Sequence, residues 1–131
     1  MTTRSTWDRL LAFVGAALDR KAYDLVVLDT AGLTSVADYF VICSGRSDTQ
    51  VQAIADAIEQ AGDALGIRPL AVEGREQSRW MLLDYGDVVI HVFYTPVREF
   101  YDLERLWVRA PRVVLPEPYC SQARRQKTGT D

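Results

Sequence analysis

Two aspartates beside a glycine are the residues whose spacing most suggests chemistry. Asp84 and Asp87 flank Tyr85-Gly86 between two apolar runs. Glycine adopts the positive φ of tight hairpin turns, so a two-residue loop at Tyr85-Gly86 would set both carboxylates opposite each other. Such a pair can hold a divalent cation, so one hypothesis is a small Mg²⁺-dependent nucleotidyltransferase-like enzyme that uses Asp84 and Asp87. We favour the alternative of solvated turn residues, with no metal, no cofactor and no catalytic residue.

The other residue types that often do chemistry have plainer interpretations. His91 is the only histidine and lies between Ile90 and Val92 in an apolar run, and the sequence shows no nucleophile for it to activate. We therefore predict a packed or hydrogen-bonded histidine rather than a general base. Ser44-Gly45 stands between a predicted strand and a predicted helix, where backbone amides can bind an anion. Many ordinary strand–helix turns have such a sequence, and we predict an ordinary turn.

The hairpin around Gly86 predicts two different faces. In the predicted register Leu82 pairs with Val89 and Trp80 with His91, on the face of the two aspartates. The opposite face is apolar throughout and is predicted to be core: Met81, Leu83, Val88 and Ile90. An aromatic and an aliphatic residue ringed by acids is typical of a protein-binding hot spot. The pattern leaves two hypotheses open, an exposed binding face or a helix-covered face with Trp80 in the core.

The rest of the sequence predicts the elements that position this hairpin. Apolar residues at helical spacing indicate a helix around Leu10–Leu18 and a longer one after a Ser47 or Asp48 cap. Pro96 opens a last helix, with one side lined by Phe100, Leu103, Leu106 and Trp107. Runs of β-branched and aromatic residues indicate strands at 24–29, 39–43, 70–72, 80–84 and 87–94. The order α-β-β-α-β-β-β-α predicts a single α/β domain with a mixed β-sheet flanked by helices.

Composition and charge restrict the class of protein. The 131 residues are 48% hydrophobic and 25% charged, without an apolar stretch of about 18 residues, so neither disorder nor a transmembrane helix is predicted. Cys43 and Cys120 are too few for a disulfide framework, and free thiols fit a reducing cytoplasm. Residues 1–107 carry 10 basic and 16 acidic side chains, and residues 108–131 carry 5 and 2. An acidic body favours a basic partner, either a protein or a small cation, over naked nucleic acid. The alternative, which the charge balance leaves open, is that the acidity only keeps the protein soluble.

Several blocks of the sequence resemble, in order and in spacing, the ribosomal silencing factor (RsfS, or Iojap) family. These blocks are Asp24-Leu-Val-Val-Leu-Asp29, Ser35-Val-Ala-Asp-Tyr-Phe-Val-Ile-Cys-Ser-Gly45, Val51-Gln-Ala-Ile-Ala-Asp56, Val72-Glu-Gly74, Trp80-Met-Leu-Leu-Asp-Tyr-Gly-Asp-Val-Val-Ile-His-Val-Phe93 and Phe100-Tyr-Asp-Leu-Glu-Arg-Leu-Trp107. The resemblance covers residues 6–114.

This resemblance implies a cytoplasmic, non-enzymatic factor that binds the large ribosomal subunit. It implies docking on the ribosomal protein called L-fourteen, a steric block of small-subunit joining, and repression of translation. It also implies a nucleotidyltransferase-like fold without the catalytic motif, in agreement with the missing Asp-x-Asp. The partner-facing surface maps to Trp80, Leu82 and Asp84, with Tyr85 and Asp87 adjacent. A homodimer of the isolated protein is a further hypothesis, and neither a membrane nor a specific nucleic acid is an expected partner.

The C-terminal part of the chain departs from the family pattern. Val108-Arg109 stands where the family often has Gly-Asp, and the basic run Arg124-Arg125-Gln126-Lys127 has no counterpart in the pattern. We therefore predict a family-like domain over residues 1–114 and a flexible, extended tail over residues 115–131. Contact of this tail with ribosomal RNA is one hypothesis, and the absence of any role is the one we favour.

Overall fold

The chain folds around one mixed five-stranded sheet in which two neighbouring inner strands are parallel. The computed structural model describes residues 5–127. In chain order its elements are α1 (Thr6–Asp19), β1 (Tyr23–Asp29), β2 (Tyr39–Gly45), α2 (Asp48–Ala64), β3 (Ala71–Glu73), β4 (Trp80–Asp84), β5 (Val88–Tyr94), α3 (Thr95–Tyr101), α4 (Leu103–Leu106) and α5 (Tyr119–Arg125). The strands lie in the order β1-β2-β5-β4-β3, with β2 and β5 parallel and every other pair antiparallel. The predicted single α/β domain with a mixed sheet is confirmed.

One side of the sheet, which we call the helical face, is covered by α1, α2 and α5. Ser5 and Ser47 cap α1 and α2 by accepting hydrogen bonds from the backbone N–H groups of Asp8 and Gln50. Both helices then present an apolar stripe to the sheet, because their buried residues recur every three or four positions. These buried residues are Leu10, Phe13, Val14, Ala17 and Leu18 in α1, and Val51, Ile54, Ala55 and Ile58 in α2.

The other side of the sheet, which we call the aromatic face, has a thinner cover. Its buried centre comprises Leu28, Ala37, Phe40, Ile42, Val89, Phe93 and Ala110. Val97, Leu103 and Trp107 pack on this centre, so the cover comes from α3, α4 and the residue that ends α4. The crossing of the Phe40 and Trp107 rings, edge to face at 4.9 Å, fixes this cover to β2.

The β4–β5 hairpin has a register two residues away from the predicted one. Asp84 pairs with Val89 and Leu82 with His91, because the turn residues are Gly86-Asp87 rather than Tyr85-Gly86. Gly86 has a φ of +88°, which suits the first central position of a type II′ turn. A shift of two residues leaves the side chains of β4 and β5 on their predicted faces, since the side-chain period of a strand is two. The predicted Asp84–Asp87 cross-strand pair is therefore wrong, but the division into two faces is confirmed.

The last predicted helix is two short helices, because Asp102 adopts a left-handed conformation with a φ of 47° between α3 and α4. A single helix would have placed its four apolar residues on one side. The break instead keeps Leu103 and Trp107 against the aromatic face and leaves Phe100 and Leu106 exposed at 80% and 75%.

The expectation of an extended tail is wrong for residues 115–127, because Tyr119–Arg125 form α5. Ala123 of α5 is buried, and Tyr119 packs on the helical-face core beside Gly15 of α1. Gln126 Nε2 donates hydrogen bonds to the carbonyl oxygens of Leu18 and Ala22, and these contacts hold the segment against the end of α1. The prolines and charges of this segment gave no indication of these contacts. Residues 1–4 and 128–131, which also belong to the predicted domain and tail, lie outside the described residues.

Candidate partner-binding face

Three of the predicted site residues share the aromatic face along β4. Trp80, Leu82 and Asp84 occupy alternate positions of this strand, so their side chains point to the same side of the sheet. The register sets Trp80 opposite Phe93, Leu82 opposite His91 and Asp84 opposite Val89. These three side chains are half-buried. Their exposure is therefore intermediate between the two hypotheses that the sequence left open, a fully exposed binding face and a face covered by a helix.

Trp80 is held firmly by its neighbours. Its indole stacks on Phe93 with ring centroids 4.8 Å apart, and the ring of Tyr101 lies 4.9 Å away. The indole Nε1–H donates a hydrogen bond to His91 Nδ1 at 3.1 Å. The polar atom of the indole is therefore used inside the protein, and the accessible part of the side chain is an apolar ring in a fixed orientation.

His91 supports Trp80 as an uncharged imidazole. Its side chain is only 5% exposed and lies between the rings of Phe40, Trp80 and Phe93. Burial lowers the pKa of His91 to about 4. Nδ1 accepts the indole hydrogen bond, and the buried Nε2 has no hydrogen-bond partner within residues 5–127. The prediction of a packed, hydrogen-bonded histidine is confirmed.

Two carboxylates flank Leu82 on the open side of the aromatic face. Glu73 of the edge strand β3 pairs with Leu82 in register, and Asp84 lies two residues further along β4. Asp84 Oδ1 accepts a hydrogen bond from Gly86 N–H at 2.8 Å, which orients this carboxylate at the turn. Among the described residues neither Glu73 nor Asp84 forms an ion pair. The face therefore presents an aromatic and an aliphatic group beside two negative charges that have no internal counter-charge.

Tyr85 does not join this face. As the next residue after Asp84 it points to the helical face, where its ring lies 4.4 Å from Phe13. Burial, followed by the nearby charges of Glu59 and Asp63, raises the pKa of Tyr85 to about 12. Its buried hydroxyl has no hydrogen-bond partner in the described part of the chain. Tyr85 is therefore a packing residue of the core.

Asp87 binds α1 instead of facing Asp84. Its Oδ2 accepts a hydrogen bond from Thr6 Oγ1 at 2.8 Å and pairs with Arg9. Its backbone carbonyl accepts from the N–H groups of Asp38 and Tyr39. Asp84 therefore binds the backbone of its own turn, whereas Asp87 binds α1. Across residues 5–127 no group of three or more His, Cys, Asp or Glu side chains could hold a metal ion.

The turn at Ser44-Gly45 has the ordinary character that we predicted. Ser47 Oγ accepts from Gln50 N–H at 3.0 Å, and Gln50 Oε1 accepts from Arg46 N–H at 2.6 Å. The N–H groups of Thr49 and Gln50, in the first turn of α2, are thus bound by the chain's own side chains. Cys43, the last residue before Ser44, is a buried free thiol whose pKa burial raises to about 12, and Cys120 is also free.

Sequence reasoning missed two residues on the aromatic face. The predicted strand 70–72 ends one residue before Glu73, and extending it by one residue places Glu73 beside Leu82. Tyr101 was overlooked because the periodicity of one long helix emphasised Phe100 and Leu103.

The described part of the chain contains no helix that is both long enough and apolar enough to cross a membrane.

Comparisons with known proteins identify relatives over most of this chain. Residues 3–131 match the family model described as "Ribosomal silencing factor during starvation". The ribosomal silencing factor RsfS of Bacillus subtilis is 48% identical over 103 residues, which are 78% of this chain and 87% of that protein. A crystal structure of a Bacillus halodurans protein superposes with a TM-score of 0.76 at 43% identity, covering 84% of this chain and 100% of the other. The mouse protein named "Mitochondrial assembly of ribosomal large subunit protein 1" is 33% identical over 89 residues, 66% of this chain and 39% of that protein.

Proposed function

The chain belongs to the ribosomal silencing factor family, and from that premise we propose that it binds the large ribosomal subunit, prevents the small subunit from joining and thereby represses translation. The proposed contact is with ribosomal protein L-fourteen, in the cytoplasm. The observation that carries the proposal is the aromatic face along β4, where Trp80 and Leu82 lie beside the unpaired carboxylates of Glu73 and Asp84. The name of the mouse relative, which refers to the large ribosomal subunit, supports the choice of subunit.

The charge and the rigidity of this face suit a basic protein partner. Ribosomal proteins are rich in lysine and arginine, so unpaired carboxylates at the rim accelerate the encounter and fix its orientation. An aromatic side chain already fixed by Phe93 and His91 loses little conformational entropy on binding. We therefore assign Trp80 as the anchor, Leu82 as its apolar neighbour and Asp84 as a rim charge.

The proposed mechanism is steric occlusion, and it requires no ionisable group to change its charge. His91, whose pKa lies near 4, stays neutral through the physiological range and acts only by holding Trp80. A protein that occupies the joining surface of one subunit excludes the other by volume. The strength of repression then depends on the affinity for the large subunit and on the concentration of the factor.

The test is sedimentation of the purified protein with purified large and small subunits. We expect the wild type to comigrate with the large subunit and to reduce the amount of joined ribosomes. We expect Trp80→Ala to weaken binding by about 2 kcal/mol, about thirtyfold in Kd. The matched control is Trp7→Ala, because Trp7 is also half-buried but packs near Tyr39 on the helical face. Equal binding by folded Trp80→Ala and wild type would refute the site.

A second arm of the same experiment isolates the charge of Asp84. Asp84→Asn keeps an oxygen that accepts the Gly86 N–H hydrogen bond and removes the negative charge. We expect slower association and a weaker dependence of binding on salt, with an unchanged melting temperature. Sedimentation of the free protein over a range of concentrations tests the homodimer hypothesis in parallel.

A further inference from the structure

A notch next to Trp80 extends the proposed binding face onto α3. It has a volume of about 350 Å³ and lies between α3 and the loop that joins β3 to β4. Val97 and Tyr101 of α3 line it together with residues of β4 and the preceding loop, which are Gly74, Glu76, Gln77, Arg79 and Trp80. This volume is at the lower end of the roughly 300–1,000 Å³ of small-molecule sites, which is suitable for one large side chain.

The wall that Trp80, Val97 and Tyr101 form favours an apolar occupant, and the polar part of the lining comprises Glu76, Gln77 and Arg79. The Nε1–H of Trp80 is bound to His91, so the indole offers only its ring to the notch. Val97 and the ring of Tyr101 add further apolar surface, and Tyr101 is 54% exposed. The charges of Glu76 and Arg79, both exposed, have opposite signs, so the notch itself selects neither an anion nor a cation. The unpaired carboxylates of Glu73 and Asp84 lie outside the notch, on the part of the aromatic face that β3 and β4 form.

Both walls of the notch are preformed. The loop wall is tied to α2, because Arg75 pairs with Glu59 and Ser78 Oγ donates to Gln52 Oε1 at 2.8 Å. The α3 wall is held by Arg98, whose guanidinium binds Ser44 Oγ at 2.8 Å and Glu104 at 3.1 Å. A preformed notch gives a partner side chain its contacts without the entropic cost of ordering the walls.

We propose that this notch receives an apolar side chain of the basic ribosomal protein that docks on β4, and that Tyr101 and Val97 are therefore binding residues. The proposal rests on the proposed function and adds a second element, α3, to the binding surface. Charge complementarity supports this occupant: an apolar side chain enters the neutral notch while neighbouring basic side chains meet Glu73 and Asp84. The partner is thus recognised by an apolar anchor next to positive charges.

The test compares two neighbouring aromatic residues of α3 in binding to purified large subunits. Tyr101 lines the notch, whereas Phe100 is 80% exposed and does not line it. We expect Tyr101→Ala to raise the Kd at least about tenfold and Phe100→Ala to change it by less than about threefold. Circular dichroism melts of both variants verify the fold. Val97→Phe, which occupies the notch with its own ring, is the second variant and is expected to weaken binding to a similar degree.

The outcomes separate this proposal from the proposed function. Failure of the wild type to bind large subunits would overturn both. Weaker binding by Trp80→Ala together with wild-type binding by Tyr101→Ala and Val97→Phe would overturn the notch alone. Loss of self-association by free Tyr101→Ala, with subunit binding unchanged, would identify the notch as an interface between copies of this chain and would also overturn the proposal.

Discussion

Gly74 is the residue whose substitution most directly tests how the β3–β4 loop is built against Trp80. Gly74 has a φ of +88°, and a Cβ added there would overlap the carbonyl oxygen of Trp80 and lie 3.0 Å from its carbonyl carbon. A left-handed conformation costs an L residue about 1–2 kcal/mol. Backbone atoms cannot turn away as the end of a flexible side chain can, so the overlap adds roughly 1–3 kcal/mol. We expect Gly74→Ala to lower the free energy of unfolding by about 3 kcal/mol.

Gly66 provides the matched control for this prediction. Its φ is +76°, but a Cβ added there meets no atom within 4 Å, so Gly66→Ala carries only the conformational cost of about 1–2 kcal/mol. At this chain length 1 kcal/mol corresponds to roughly 4 °C in melting temperature. Thermal melts and urea titrations of the two variants measure the difference. If Gly74→Ala is no less stable than Gly66→Ala, the close approach of the loop to Trp80 does not exist in solution.

Two further predictions concern buried polar groups. Because the pKa of His91 is lowered to about 4 from an ordinary value near 6.5, the unfolded chain binds more protons than the native protein between these values. The contribution of neutral His91 to the free energy of unfolding is therefore fully present above pH 6.5, and up to about 3 kcal/mol of it is lost as the pH drops to 4. Urea titrations of His91→Phe over the same pH range should lack this part of the loss. The Tyr85 hydroxyl is buried without a partner, so Tyr85→Phe should keep or raise the free energy of unfolding by up to about 1 kcal/mol and leave subunit binding unchanged. A Tyr85→Phe variant that folds normally but fails to bind large subunits would return Tyr85 to the binding surface.

The two faces of the β4–β5 hairpin could be predicted from the sequence, because successive side chains of a strand point to opposite faces of the sheet. Trp80, Leu82 and Asp84 follow that period, and the error of two residues in register left them on the predicted face. The same error changed the turn. Asp87 lies in the turn and does not pair with Asp84. Whether the turn residues are Tyr85-Gly86 or Gly86-Asp87 depends on contacts of Asp87 with α1 and with the start of β2, and the local sequence does not show these contacts.

The C-terminal third was harder to predict because its order comes from distant contacts. The packing of Trp107 on Phe40 joins segments more than sixty residues apart in the chain. The hydrogen bonds from Gln126 to the end of α1 span more than one hundred residues. A run of prolines and charges carries no sign of such anchors, and it therefore suggested an extended tail.

The sequence by itself determined the family, the α/β order of the first elements and the residues that share the face of β4, because these follow from local periodicity and from ordered motifs. Only the tertiary structure decided that Trp80 is half-buried and held by His91, that Tyr85 belongs to the core, and that Tyr101 forms a notch with Trp80. The physical reason is that the burial of a side chain depends on which distant segment packs over it. That choice is made by the whole fold and not by the neighbours of a residue along the chain.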